Sequence, residues 1–110
     1  MPKIYLACPY SHQDPDIRKC RVHQANRAAA DLMCQGHVVF SPLSHSHGIA
    51  EYIGNHLEHD FWLGQCLPFV EWCDELWVMQ LDGWEDSRGI KVEIEAASKA
   101  GKTVVMWEDI

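Results

Sequence analysis

A chain of 110 residues with 47% apolar side chains is long enough for one modest core and too short for a separate cofactor domain. Sixteen Asp and Glu against nine Lys and Arg leave a formal net charge of −7, which repels a nucleic-acid polymer on average but allows a small ligand in one local pocket. The five cysteines (Cys8, Cys20, Cys34, Cys66, Cys73) are odd in number and form no C-x-x-C pair, so they read as reduced thiols of a cytoplasmic protein, not a disulfide framework or zinc ribbon.

The opening "MPKIYLACPYS" holds an apolar run too short for a signal sequence or a membrane span, so no membrane partner is expected. "KIYLAC" predicts a first strand ended by Pro9. A turn-rich stretch then leads to a helix entered through Asp14 as N-cap and Pro15 at its first position. That helix carries Val22, Ala25, Ala29 and Leu32 on one stripe and stops at Gly36. "HVVFSP" is the second strand, and 44–58, rich in His and Gly, reads as a loop with one short helix.

Over 59–73 the apolar residues Phe61, Trp62, Cys66, Phe69, Val70 and Cys73 recur at helical spacing, with Pro68 expected to kink or restart the helix. "ELWVMQL" is a third strand, "DGWEDS" a loop, 87–100 a helix closed by Gly101, and "KTVVMW" the last strand. Strands apolar on both faces and alternating with helices predict one α/β domain over 1–110, with a four- or five-stranded, mostly parallel sheet covered on both sides. In such sheets ligands collect at the carboxyl ends of the strands, which brings "ACPYS", "SPLSHSH" and "LDGWEDSRG" to one edge.

Within "DSRGIKVEIEAASKAG", Glu93 falls beside Ile90, Ile94 and Ala97, on the side where aliphatics normally meet a sheet. Gly89, one turn earlier, leaves room for another group to approach. A carboxylate facing the crevice is expected to be held ionised by the helix dipole and is then a competent nucleophile toward an electron-poor carbon. The alternative is a solvated helix face, with Glu95 and Lys99 paired at i,i+4.

Four matches in order carry a family resemblance: "IYLA" with Tyr5, "GHVVFSP" after the first helix, "CDELWVM" with Asp74, and S-x-G-x-x-x-E-I-x-x-A (Ser87, Gly89, Glu93, Ile94, Ala97). On these the chain resembles the nucleoside 2-deoxyribosyltransferase-like superfamily, which includes deoxynucleoside 5′-monophosphate N-glycosidases. The "GWEDSRG" loop is like that of its small branch.

The resemblance implies a Rossmann- or flavodoxin-like three-layer fold and cleavage of a base–sugar bond through a glycosyl-enzyme on Glu93, with no cofactor and no metal. It also implies that Tyr5 holds the nucleophile and that Asp74 assists the leaving base or orients the sugar. Asp74 stands before its strand, where a turn-forming role is equally open. Ser87 matches the position that binds a 5′-phosphate in monophosphate-specific relatives, and it also suits an ordinary N-cap. The phosphate loop of those relatives is replaced here by "CPYSH", with Pro9 and Ser11, so that Arg18, Arg21 or Arg88 would have to supply the charge. Lys91 and Glu95 stand where the transferases prefer small residues.

The remaining candidates are polar or aromatic. His45 and His47, with His56, His59 and Asp60, invite a metal reading that no further cysteine or carboxylate cluster completes, so no bound metal is expected and the same histidines are candidates for a base pocket. Arg88 either clamps a ligand oxygen or lies on the surface. Trp84 is the aromatic candidate for stacking on a base, while Trp62 and Phe69 on one stripe suggest a homodimer or higher homo-oligomer. Hydrolysis of a nucleoside or its 5′-monophosphate is the preferred activity; transfer between bases, cleavage of NAD and non-catalytic nucleotide sensing are the rivals.

Overall fold

The computed structural model describes residues 1–53 and 59–108. In chain order the elements are β1 (Lys3–Ala7), α1 (Pro15–Cys34), β2 (Val38–Phe40), α2 (Pro42–Ile53), α3 (His59–Trp72), β3 (Glu75–Met79), a 3₁₀ turn (Trp84–Asp86), α4 (Arg88–Lys99) and β4 (Thr103–Trp107). The four strands are all parallel in the order β2-β1-β3-β4, so the fold is a flavodoxin-like three-layer α/β/α sandwich.

Strand alternation builds two cores from one sheet. Ile4, Leu6 and Cys8 of the β1 segment point to α1, where Ala25, Ala28, Ala29 and Leu32 meet them. Tyr5 and Ala7 point the other way, to Val70 and Cys73 of the α3 segment and Ile90 and Ala97 of α4. Ile4 through Ala7 are fully buried, as a strand covered on both faces requires. Each large aliphatic so buried contributes on the order of 1.5–3 kcal/mol.

The helix ends follow their local chemistry. The Asp14 carboxylate accepts from the Asp16 amide at 2.9 Å with Pro15 at the first helical position, and α1 ends before Gly36, whose φ of +97° needs a residue without Cβ. Helix α3 runs through Pro68, where a kink or restart was expected. The Pro68 ring removes the N–H that would bond the Gly64 carbonyl one turn back, and Gly64 itself is exposed.

Residues 44–53 correct the expectation of a loop with one short helix, because α2 starts at Pro42 and spans twelve residues. Pro42 presets the helical φ, the Ser41 carbonyl accepts from the His45 amide at 3.0 Å, and Leu43, His47 and Ala50 recur on one face. Composition rich in His and Gly concealed that period.

Candidate active site

The strand order reverses between β1 and β3, and the loops that follow these two strands part there to open a cavity of about 650 Å³. Tyr5, fully buried on the α3/α4 face of β1, lies behind its wall. Glu93 reaches the cavity from α4, which is entered through Ser87: that hydroxyl accepts from the Ile90 amide at 3.3 Å. Glu93 is 7% exposed, lines the cavity, and accepts a hydrogen bond from the Tyr5 hydroxyl.

The electrostatics depart from the dipole argument. Burial pushes the Glu93 carboxyl up to about 7, against the hydrogen bond from Tyr5, which favours the carboxylate. Glu93 is the sixth residue of α4, in its second turn, where the dipole of the helix end has largely faded. Desolvation therefore outweighs it, and the carboxyl is poised between its two forms at neutral pH.

The neighbours are poised differently. Burial, and then the Glu93 charge, raises the Tyr5 phenol far above its ordinary range, so it stays protonated and donates. Burial lifts the Cys8 thiol to about 12, partly opposed by Arg21, and raises Cys66 as well. Burial thus keeps Tyr5, Cys8 and Cys66 protonated near pH 7, and among these buried groups Glu93 is the one with a substantial reactive anion.

Ser11, His47, Ser87, Arg88 and Gly89 line the cavity with Glu93. The His47 Nδ1 and the Tyr10 hydroxyl share a hydrogen bond at 3.2 Å, which ties α2 to the loop after β1. Arg88 is largely exposed and pairs with Asp60 at 3.1 Å. Arg18 donates to the His12 carbonyl. Glu95 and Lys99 pair at 2.9 Å on the outer face of α4.

Three candidates lie elsewhere. Asp74 is exposed at the amino end of the sheet, where its carboxylate accepts from the Lys3 amide and its own amide donates to the Lys3 carbonyl, both at 2.8 Å. It locks the start of β1, because a residue before a parallel strand stands at the end opposite the cavity. Trp84 packs against the α3/α4 core, turned inward by the 3₁₀ turn, and does not line the cavity. His45, also outside the cavity lining, packs at a tilt near Phe40, with ring centroids 5.5 Å apart, and shares a hydrogen bond with Ser46.

Among the described residues no three His, Cys, Asp or Glu side chains come together as ligands. His56 and the side chain of His59 lie outside the described residues.

Other residues complete the walls without having been singled out for them. Trp62, Leu63 and Cys66 come from α3, Leu43, Ser46 and Ala50 from α2, and Asp86 from the turn before α4. Their signal was helical spacing: Trp62 to Cys66 is i,i+4, and Leu43, His47 and Ala50 are i, i+4, i+7. Trp62, expected at a subunit contact, thus faces the cavity, whereas Phe69 stacks on Phe40 with centroids 4.0 Å apart. A buried carboxyl with a phenol donor, apolar walls and a polar rim can attack an electrophilic carbon held beside it.

Comparison with known proteins agrees with this architecture. The fold is similar to that of a 2-deoxyribosyltransferase from the psychrotolerant bacterium Bacillus psychrosaccharolyticus, with a TM-score of 0.68 and 27% identity over 94% of this chain and 70% of that one. That enzyme is described as a biocatalyst for the synthesis of nucleosides. No curated protein matches the chain. The model of a domain of unknown function, DUF1937, matches residues 2–109. The chain belongs to the DUF1937 family, within the nucleoside 2-deoxyribosyltransferase-like superfamily.

Proposed function

We propose that this protein breaks the N-glycosidic bond of a nucleoside, with Glu93 as nucleophile and water as the preferred acceptor. The observation that carries the reading is the buried Glu93 carboxyl, hydrogen-bonded by Tyr5 at the wall of the cavity above β1 and β3. An ionised Glu93 oxygen attacks the anomeric carbon while the carbon–nitrogen bond breaks, and the bonding pair leaves with the base. Water then attacks the same carbon of the glycosyl ester, loses a proton and frees the carboxylate. Transfer differs only in that a second base replaces water.

Tyr5 orients the carboxylate and favours its charged form. Asp74 has no part in this reading, so the leaving base draws its proton from a group at the cavity or from solvent. Trp62 offers an aromatic face to the base.

Charge favours an uncharged nucleoside over a 5′-monophosphate. The Arg21 guanidinium already donates to two backbone carbonyls, Arg88 is paired with Asp60, and Asp86 adds negative charge beside Ser87.

The test is release of free base from a panel of nucleosides, deoxynucleosides, their 5′-monophosphates and NAD. Glu93→Ala and Glu93→Gln should abolish turnover, by on the order of 10⁴-fold or more, and remove a glycosyl adduct visible by mass spectrometry in the wild-type protein. A nucleotide sensor would bind its ligand unchanged in both variants and release no base.

A further inference from the structure

Arg21 lies in the second turn of α1, outside the reacting centre, yet its guanidinium joins segments distant in sequence. Nη1 donates to the Ser11 carbonyl at 3.0 Å, in the loop after β1, and Nη2 donates to the Asp82 carbonyl at 2.8 Å, in the loop after β3. The same side chain lines the cavity between those loops. Its backbone carbonyl accepts from the Cys8 thiol at 3.9 Å, which ties this turn of α1 to the end of β1 as well.

The seat of the guanidinium is shaped by Gly83. That residue has φ +87°, a conformation costly for side chains with Cβ, and an added Cβ would lie 3.2 Å from Nη2. The loop held in this way runs through the 3₁₀ turn to Ser87, the cap of the helix that carries Glu93. The two loops are those that part at the strand-order reversal, so no sheet hydrogen bond holds them together there.

We propose that Arg21 is a positioning residue, a planar clamp that fixes the width of the cavity mouth by fastening the loop after β1 to the loop after β3. Its fork suits two carbonyls on diverging loops in a way that a single ammonium does not. Gly83 serves the same clamp by leaving its seat open.

The clamp itself needs no assumption about the reaction; only the kinetic arm of its test rests on the glycosidic reading. Amide hydrogen exchange of the wild-type protein, Arg21→Ala, Arg21→Lys and Gly83→Ala is compared over residues 10–14 and 82–87, where the amides of Asp14, Trp84, Asp86 and Ser87 are hydrogen-bonded. All three variants should speed exchange in both loops together, at least tenfold for Arg21→Ala, with β1 and β3 amides unchanged. Acceleration confined to one loop, or wild-type protection in Arg21→Lys, would overturn the clamp. With a nucleoside that the wild type cleaves, Arg21→Ala should raise KM at least tenfold and leave kcat within threefold; a fall in kcat at constant KM also overturns it. If the wild type releases no base from any nucleoside, the glycosidic reading fails and the exchange result alone decides the clamp.

Discussion

Tyr5 and Glu93, 88 residues apart in the chain, are joined by one buried hydrogen bond from phenol to carboxylate. Strand β1 carries the donor at its centre and the second turn of α4 carries the acceptor, so the contact exists only when the helix is docked on the sheet. It sits where burial and hydrogen bonding act on Glu93 in opposite directions, and burial is the larger effect.

Activity should therefore rise with pH through about 7, as Glu93 loses its proton. Tyr5→Phe removes the bond that favours the carboxylate, so the rising limb of kcat/KM should move to higher pH. The loss of a hydrogen bond to a charged group, ~1.5–3 kcal/mol, lowers the plateau about 10- to 100-fold. A limb that stays in place in Tyr5→Phe would separate the phenol from the titration.

Stability should show the same titration with the opposite slope. Because folding raises the Glu93 carboxyl from 4.5 to about 7, its contribution is fully present below pH ~4.5 and is lost as pH rises toward 7. At ~1.4 kcal/mol per pH unit the loss is of order 3 kcal/mol. Glu93→Gln should accordingly unfold at higher denaturant than the wild type at pH 8, with the advantage gone near pH 4. Parallel curves for the two proteins across that window would contradict a desolvated carboxyl.

Asp74→Ala should leave kcat/KM within about twofold, since the side chain lies at the far end of the sheet from the cavity. It removes one exposed contact with the Lys3 amide and should cost about 1 kcal/mol in urea unfolding. A hundredfold loss of activity in a folded Asp74→Ala protein would restore it to the reaction.

The two tryptophans considered for ligand or partner contacts should separate cleanly. Trp62→Ala opens the cavity wall, and stacking worth ~1–3 kcal/mol per base predicts a KM increase of about 5- to 100-fold. Trp84→Ala should leave KM near the wild-type value while lowering stability by about 2 kcal/mol, because its half-buried ring packs on the α3/α4 core. Binding and melting measurements on both variants check the pair.

Much of the fold was legible because its signals are local. Asp14-Pro15 and Gly36 bound α1 through capping and backbone freedom, and the unbroken apolar run "IYLA" marks a strand buried on both faces. Helix α2 was less legible, since His and Gly carry little apolar period even where Leu43, His47 and Ala50 share a face. The pairing of Glu95 with Lys99 was open to sequence reasoning because four residues bring two side chains together on any helix.

The amino-acid order alone determined the strands and caps and the superfamily that the chain resembles, and made an inward Glu93 one of two readings. These depend on spacing along one element or on motif order. Only the tertiary structure decided which end of β3 Asp74 occupies, that Trp62 and not Trp84 faces the cavity, and that Arg21 spans two loops. It also decided the charge balance of Glu93, because desolvation depends on how α4 and the sheet together exclude water, and no single segment carries that information.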